Sequence, residues 1–230
     1  MSLAIVYTRA ALGIEAPLIT VEVHLSNGLP GLTMVGLPET TVKEARDRVR
    51  SALINSGYAF PAKKITINLA PADLPKEGGR YDLPIALALL VASEQLNTTR
   101  LNQYEFVGEL ALTGGLRGVP GAIPSAMEAI KAGRRIVVSS DNAAEVGLIG
   151  GSDCLVADHL QEVCAFLAGQ TSLSPPLAEA PARDERYEDL LDVIGQQQGK
   201  RALEIVAAGG HNLLLIGPPG TGKTMLASRH

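Results

Sequence analysis

Two hydrophobic periods alternate along this chain. From Ile19 to Ser26, ITVEVHLS, apolar and polar residues trade places one by one, the spacing of a half-buried strand. GLPGLTMVGLP follows, a short apolar run bracketed by Gly and Pro. TTVKEARDRVRSALINSG then changes to helical spacing, with Val42, Ala45, Val49, Ala52 and Leu53 on one face. Thr41 and Glu44 fit a capping box at its start, and Gly57 predicts its stop. KKITINLA, Lys63 to Ala70, predicts a further strand. DLPIALALLVASEQL, from Asp82, is apolar nearly all round, as a helix inside a core is. EFVGELAL and RRIVVSS predict short strands, with GAIPSAMEAIKAG a helix between them. The pattern predicts an α/β (α+β) domain over residues 1–169, its helices covering a sheet.

After Gly169 the periodicity stops. GQTSLSPPLAEAPARDERYED is rich in Pro, Ser, Ala and charge, so residues 170–189 predict a linker. A second unit, 190–230, begins with LLDVIGQ. It predicts a helix over Gln197–Ala208, a Gly-Gly stop, a buried strand NLLLI, and then the loop GPPGTGKTML.

Composition narrows the picture. Apolar residues make up 46% of the chain, enough for a sizeable core. A net charge of −4 gives no overall pull toward nucleic acid or membrane, so any such partner needs a local patch. No apolar run approaches the roughly 20 residues of a membrane span, and the first residues do not read as a secretory signal. Cys154 and Cys164 lie in apolar surroundings and predict buried, reduced thiols, which together with the preceding points indicates a cytoplasmic protein.

The loop carries the chemistry. Gly217, Gly220 and Gly222 allow a tight turn and close approach to a ligand, while Pro218, Pro219 and Thr221 fill the variable positions of a G-x-x-x-x-G-K-[ST] motif. Such a loop points backbone N–H groups at phosphates and opens a helix whose dipole adds positive potential. Lys223 predicts a contact to the β- and γ-phosphates, and Thr224 a hydroxyl ligand to Mg²⁺. ATP with Mg²⁺ is therefore the predicted cofactor pair. Only six residues follow Thr224, too few for the acidic strand end that hydrolysis requires. The expectation is the front part of a larger protein, which by itself binds nucleotide weakly and does not hydrolyse it.

Other candidates read more plainly. Asp82 precedes Leu83-Pro84 at the start of an apolar helix and predicts an N-cap. Asp73, Lys76, Glu77 and Arg80 predict a solvated loop pinned by ion pairs. Lys43, Arg46, Arg48 and Arg50 crowd one helix, with Lys63 and Lys64 nearby in sequence; pairs Glu39–Lys43 and Glu44–Arg48 at i,i+4 predict a solvated, charge-balanced face. His24, His159 and His211 stand apart from one another and from carboxylates at ligand spacing, so no metal site is predicted at them.

Three stretches, NGLPGLTMVGLPETTVKEARDRVRSALINSG, ITINLAPADLPKEGGRYDLPIALALL and DVIGQQQGKRALEIVAAGGHNLLLIGPPGTGKTML, resemble the bacterial YifB/ComM family of magnesium-chelatase-related AAA+ ATPases. The resemblance implies a Lon-protease-like domain over 1–169 followed by the opening of an AAA+ domain. It implies a hexameric DNA branch-migration helicase, active in recombination and natural transformation, as the activity of the whole protein. By the same resemblance DVIGQ places Ile194 and Gly195 beside the adenine. The stretches that resemble the Lon serine and lysine segments carry Asp82 and Ser125 at those positions, so no peptidase dyad is implied. Two alternatives stand beside the helicase: a chelatase-like motor acting on a protein client, and a non-enzymatic assembly or binding domain.

Overall fold

A computed structural model describes residues 2–35, 40–74, 76, 78–149, 151–176 and 189–228, with the side chains of 40–43 left out. The chain divides into two units, 1–180 and 181–230. The first holds strands β1 (Ser2–Arg9), β2 (Leu18–Ser26) and β3 (Gly31–Val35), helix α1 (Thr40–Asn55), β4 (Lys64–Ala70), α2 (Asp82–Ala92), β5 (Tyr104–Phe106), β6 (Glu109–Leu110), β7 (Leu116–Arg117), α3 (Ala122–Lys131), β8 (Arg135–Ser139), α4 (Ala143–Gly147), β9 (Cys154–Ala157) and α5 (Leu160–Leu167). The second holds α6 (Gln197–Gly209) and α7 (Lys223–Ala227).

Seven strands form one sheet in the order β3-β4-β2-β1-β5-β8-β9. β2 pairs antiparallel with both β1 and β4, and the remaining neighbours are parallel, so the sheet is mixed and the class is α/β. β6 and β7 make a separate antiparallel pair. The strict alternation in β2 has its structural counterpart: Ile19, Val21, Val23 and Leu25 are buried, and the residues between them are half-buried. Uninterrupted apolar sequence after Asp82 makes α2 the central helix: every residue from Leu83 to Leu90 is buried, all but Pro84 within the main core. On α1, Ala45, Val49, Ala52 and Leu53 face inward, while the side chain of Val42 lies outside the described residues, as does the capping-box threonine. Gly57 takes φ +84° just past α1, where its N–H reaches the Ile54 carbonyl and closes the helix.

Several sequence expectations change in three dimensions. Asp82 is not an N-cap: Tyr81 holds that position, and the Asp82 carboxylate is used elsewhere, as described below. The loop before α2 is not simply solvated. Lys76 is fully buried, its ammonium donating to the carbonyls of Pro71 (2.5 Å) and Leu74 (3.0 Å), and burial lowers its pKa. Arg80 is buried too, donating from Nη2 to the Pro120 carbonyl, and burial pushes its pKa down. Asp73 is exposed; Glu77 lies outside the described residues. Part of the expected linker is tied down: the Val156 N–H donates to the Ser174 carbonyl beside β9, and Leu173 packs against the core.

Three charged side chains, Arg9, Glu105 and Arg134, form a further group. Glu105 on β5 is fully buried and accepts from Arg9 Nε (2.6 Å) and Nη2 (2.7 Å) and from Arg134 Nε (2.9 Å). Both guanidinium groups answer one carboxylate at a depth where an unpaired charge is strongly disfavoured.

Candidate nucleotide-binding site

The second unit has a small core of Val193, Leu203 and Leu226, with Leu190 and Leu215 packed against it. Helical spacing puts Leu203 and Val206 of α6 on its buried side, and Leu226 anchors α7 against that helix. The approach is close: a Cβ on Gly199 would come within 2.9 Å of Leu226 Cδ1, so a side chain there would have to push Leu226 aside where α7 packs.

Between these helices runs the loop. Gly220 (φ +81°) and Gly222 (φ +80°) hold left-handed backbone conformations that residues with a Cβ rarely adopt. The turn is tied within itself. The Thr221 hydroxyl donates to the Pro218 carbonyl at 2.9 Å, and the Leu226 N–H donates to the Gly222 carbonyl at the start of α7. Lys223 bends back across the turn, donating from Nζ to the carbonyls of Gly217 (2.8 Å) and Pro218 (2.7 Å). Its ammonium thus lies over the loop that a phosphate would enter. Thr224 is exposed on the first turn of α7. Glycines that permit close approach, a lysine held over the loop and an adjacent hydroxyl are the kinds of group with which a loop of this pattern could hold a magnesium-bound triphosphate.

A second segment joins the loop through one side chain. Gln196 Nε2 donates to the Thr221 carbonyl at 3.0 Å. Gly195 (φ +76°) and Gln196 (φ +55°) are both left-handed, so the chain turns sharply just before α6. Ile194 is 96% exposed beside that turn, an apolar side chain displayed to solvent. The structure therefore brings DVIGQ and GPPGTGKT together. The residue that does so, Gln196, was not singled out in the sequence; its signal is an amide next to a glycine at a helix start.

One expectation fails here. NLLLI is not a strand: residues 212–216 have no assigned regular structure, and Leu214 (79%) and Ile216 (86%) are exposed. A strand is defined by its neighbour, and no described segment of this unit offers it one.

The two positions aligned with a peptidase dyad hold other roles. Ser125 is buried, and its hydroxyl donates to the Gly121 carbonyl one turn back in α3. Asp82 accepts from Arg48 Nε (2.8 Å) and Nη2 (3.3 Å) and from the Leu110 N–H (3.2 Å). Its pKa is pushed up to about 6, because burial outweighs the Arg48 hydrogen bond that favours the anion. Arg48, less buried, shows the pairing instead, its pKa raised by Asp82. The expected Glu44–Arg48 pair does not form: Glu44 is exposed and Arg48 turns inward. The Glu39–Lys43 pair lies outside the described residues. His159 caps α5, with Nδ1 accepting from the Gln161 N–H. Among the described residues no group of three or more His, Cys, Asp or Glu side chains could hold a metal ion, and no helix is long and apolar enough to cross a membrane.

Comparison with known proteins places these features in a lineage. The sequence profile described as subunit ChlI of Mg-chelatase matches residues 21–142, and a second, described as magnesium chelatase, subunit ChlI, matches 189–230. The chain is 77% identical over 229 residues to the YifB protein of Salmonella typhimurium and 76% identical to that of Escherichia coli, each match covering all of this chain and 45% of the relative. It is 58% identical over 236 residues to the competence protein ComM of Haemophilus influenzae, covering all of this chain and 46% of that protein. The chain thus spans about half the length of the curated relatives it matches.

Proposed function

Because this chain belongs to the Mg-chelatase subunit ChlI family, and within it to the YifB/ComM group, we propose that it is the N-terminal part of an ATP- and Mg²⁺-binding AAA+ motor that remodels DNA. The observation that carries this reading is Lys223 reaching over a loop of left-handed glycines, with Gln196 tying the DVIGQ turn to the same loop. In the bound state the loop N–H groups and Lys223 hold the β- and γ-phosphates, Thr224 ligates Mg²⁺, and Ile194 and Gly195 lie against the adenine. Bound Mg²⁺ neutralises phosphate charge. The work of the chain's own residues is binding and orientation.

The ComM likeness supports a DNA-processing role of the branch-migration kind, as a cytoplasmic homo-hexamer formed by the full-length protein. The first unit serves as a Lon-like scaffold without peptidase chemistry: Ser125 is committed to a helix carbonyl and Asp82 to an arginine.

Titration calorimetry with Mg·ATP tests the loop. The 230-residue chain should bind weakly, since the residues leading into the loop are exposed and unpaired, and ordering them opposes binding. In the full-length protein, Lys223→Ala should abolish nucleotide binding and DNA-stimulated hydrolysis. Sub-micromolar affinity in the 230-residue chain overturns the expectation of weak binding, and full activity of the Lys223→Ala protein overturns the reading.

A further inference from the structure

A groove of about 490 Å³ opens between edge strand β3 and helix α1, lined among others by Leu32, Arg46, Asp47, Arg50, Phe60 and Lys63. Three of those six residues are cationic and one is anionic. That one, Asp47, is engaged by its neighbour, with Arg46 Nε donating to Oδ1 at 3.1 Å. Among the described residues no carboxylate pairs with Arg50, Lys63 or the adjacent Lys64. The remaining arginine of the helix, Arg48, is drawn inward to Asp82, so it does not balance this side. A positive groove on a chain of net charge −4 is a matter of placement, not of composition. The Arg50 guanidinium lies over the Phe60 ring, 4.8 Å from its centroid, a cation–π contact at the groove wall in which Phe60 also packs against the core.

We propose that this groove binds the phosphodiester backbone of single-stranded nucleic acid, an inference that takes its ligand from the DNA-processing reading and its place from the groove. Guanidinium forks and a lysine ammonium suit phosphate oxygens. The exposed Arg50 guanidinium, held over the half-buried Phe60 ring, offers its outer face to an unstacked base, a feature that a carboxylate-rich peptide has no use for. Recognition is independent of base sequence, since side chains here meet charge and ring faces and not base edges.

Fluorescence anisotropy of labelled oligo(dT) with the 230-residue chain, over a range of NaCl, tests this. Binding should fall about tenfold or more in Arg46→Glu/Arg50→Glu. It should stay within about twofold in Lys131→Glu/Arg135→Glu, which makes the same charge change on the first unit at α3 and β8, five strands from β3 in the sheet. The milder Arg46→Gln/Arg50→Gln pair, checked by thermal melting to be folded, should lower the log–log salt slope by about 1.4. No binding of oligo(dT) by the wild-type chain, equal binding by the folded Gln pair, or displacement of oligo(dT) by poly-glutamate at equal charge concentration overturns the inference. The broader reading fails by a different observation: full-length protein whose ATP hydrolysis does not respond to DNA, whatever the groove variants bind.

Discussion

Arg48 of α1 and Asp82 of α2, 34 residues apart, are joined by two hydrogen bonds, Nε to Oδ2 at 2.8 Å and Nη2 to Oδ1 at 3.3 Å. The carboxylate is fully buried and its other recorded partner is the Leu110 N–H, so this pair links α1, α2 and β6. Truncating Arg48→Ala leaves that carboxyl without its counter-ion. The loss should be about 3 kcal/mol, at the low end for a broken buried pair, because Asp82 relieves part of it by taking up a proton. Urea unfolding measures this, and a loss below about 1 kcal/mol would show that the pair is incidental.

Asp82 also sets a pH signature. Its folded pKa, about 6, lies above the ordinary carboxylate value of 3.8, so the folded state binds the proton more tightly. The resulting stability is fully present below about pH 4, declines as pH rises through about 6, and is level beyond. Against an Asp82→Asn variant, which does not titrate there, the wild-type chain should lose on the order of 1–3 kcal/mol between those limits. Parallel thermal melts of both proteins across that range check it; a wild-type chain that gains stability relative to Asp82→Asn as pH rises would reverse the assignment.

The thiols should be silent in the folded chain. Cys164 is buried, its pKa pushed up to about 11 chiefly by that burial, and Cys154 is likewise raised. Thiolate is the reactive form, so at pH 8 neither should react with Ellman's reagent until denaturant is added. Rapid labelling of one or both in the native protein would contradict the packing described here.

Gln196→Asn isolates the tie between the DVIGQ turn and the loop. Asn tolerates the left-handed backbone at this position, but its amide falls one methylene short of the Thr221 carbonyl. One hydrogen bond, about 1 kcal/mol, corresponds to roughly fivefold weaker Mg·ATP binding in the full-length protein. Calorimetry that returns wild-type affinity would remove Gln196 from the site.

Much of the fold was legible because it follows from local rules. Alternation in β2, an apolar face on α1 and an α2 that is apolar throughout after Asp82 fix which residues face inward, since period and burial are properties of a few neighbouring residues. The loop was legible for the same reason. Gly220 and Gly222 hold conformations that almost require glycine, and a lysine directly after the second completes a donor set within eight residues, 217–224.

Charge partners and strand pairing were decided elsewhere. At i,i+4 the sequence offers Glu44 to Arg48, yet the arginine turns to a buried carboxylate 34 residues on, where lower dielectric makes the attraction stronger than at the surface. Lys76 and Arg80 read as solvated from their type, and only the packing around them shows both buried on backbone carbonyls. NLLLI has the apolar sequence of a strand and lacks a described neighbour to make it one. By itself the sequence determined periodicity, turns and the glycine-lysine-threonine order of the loop, because these depend on residues a few positions apart. Tertiary structure alone decided which charges meet, which are buried and which segments pair, because those energies arise between residues that only folding brings into contact.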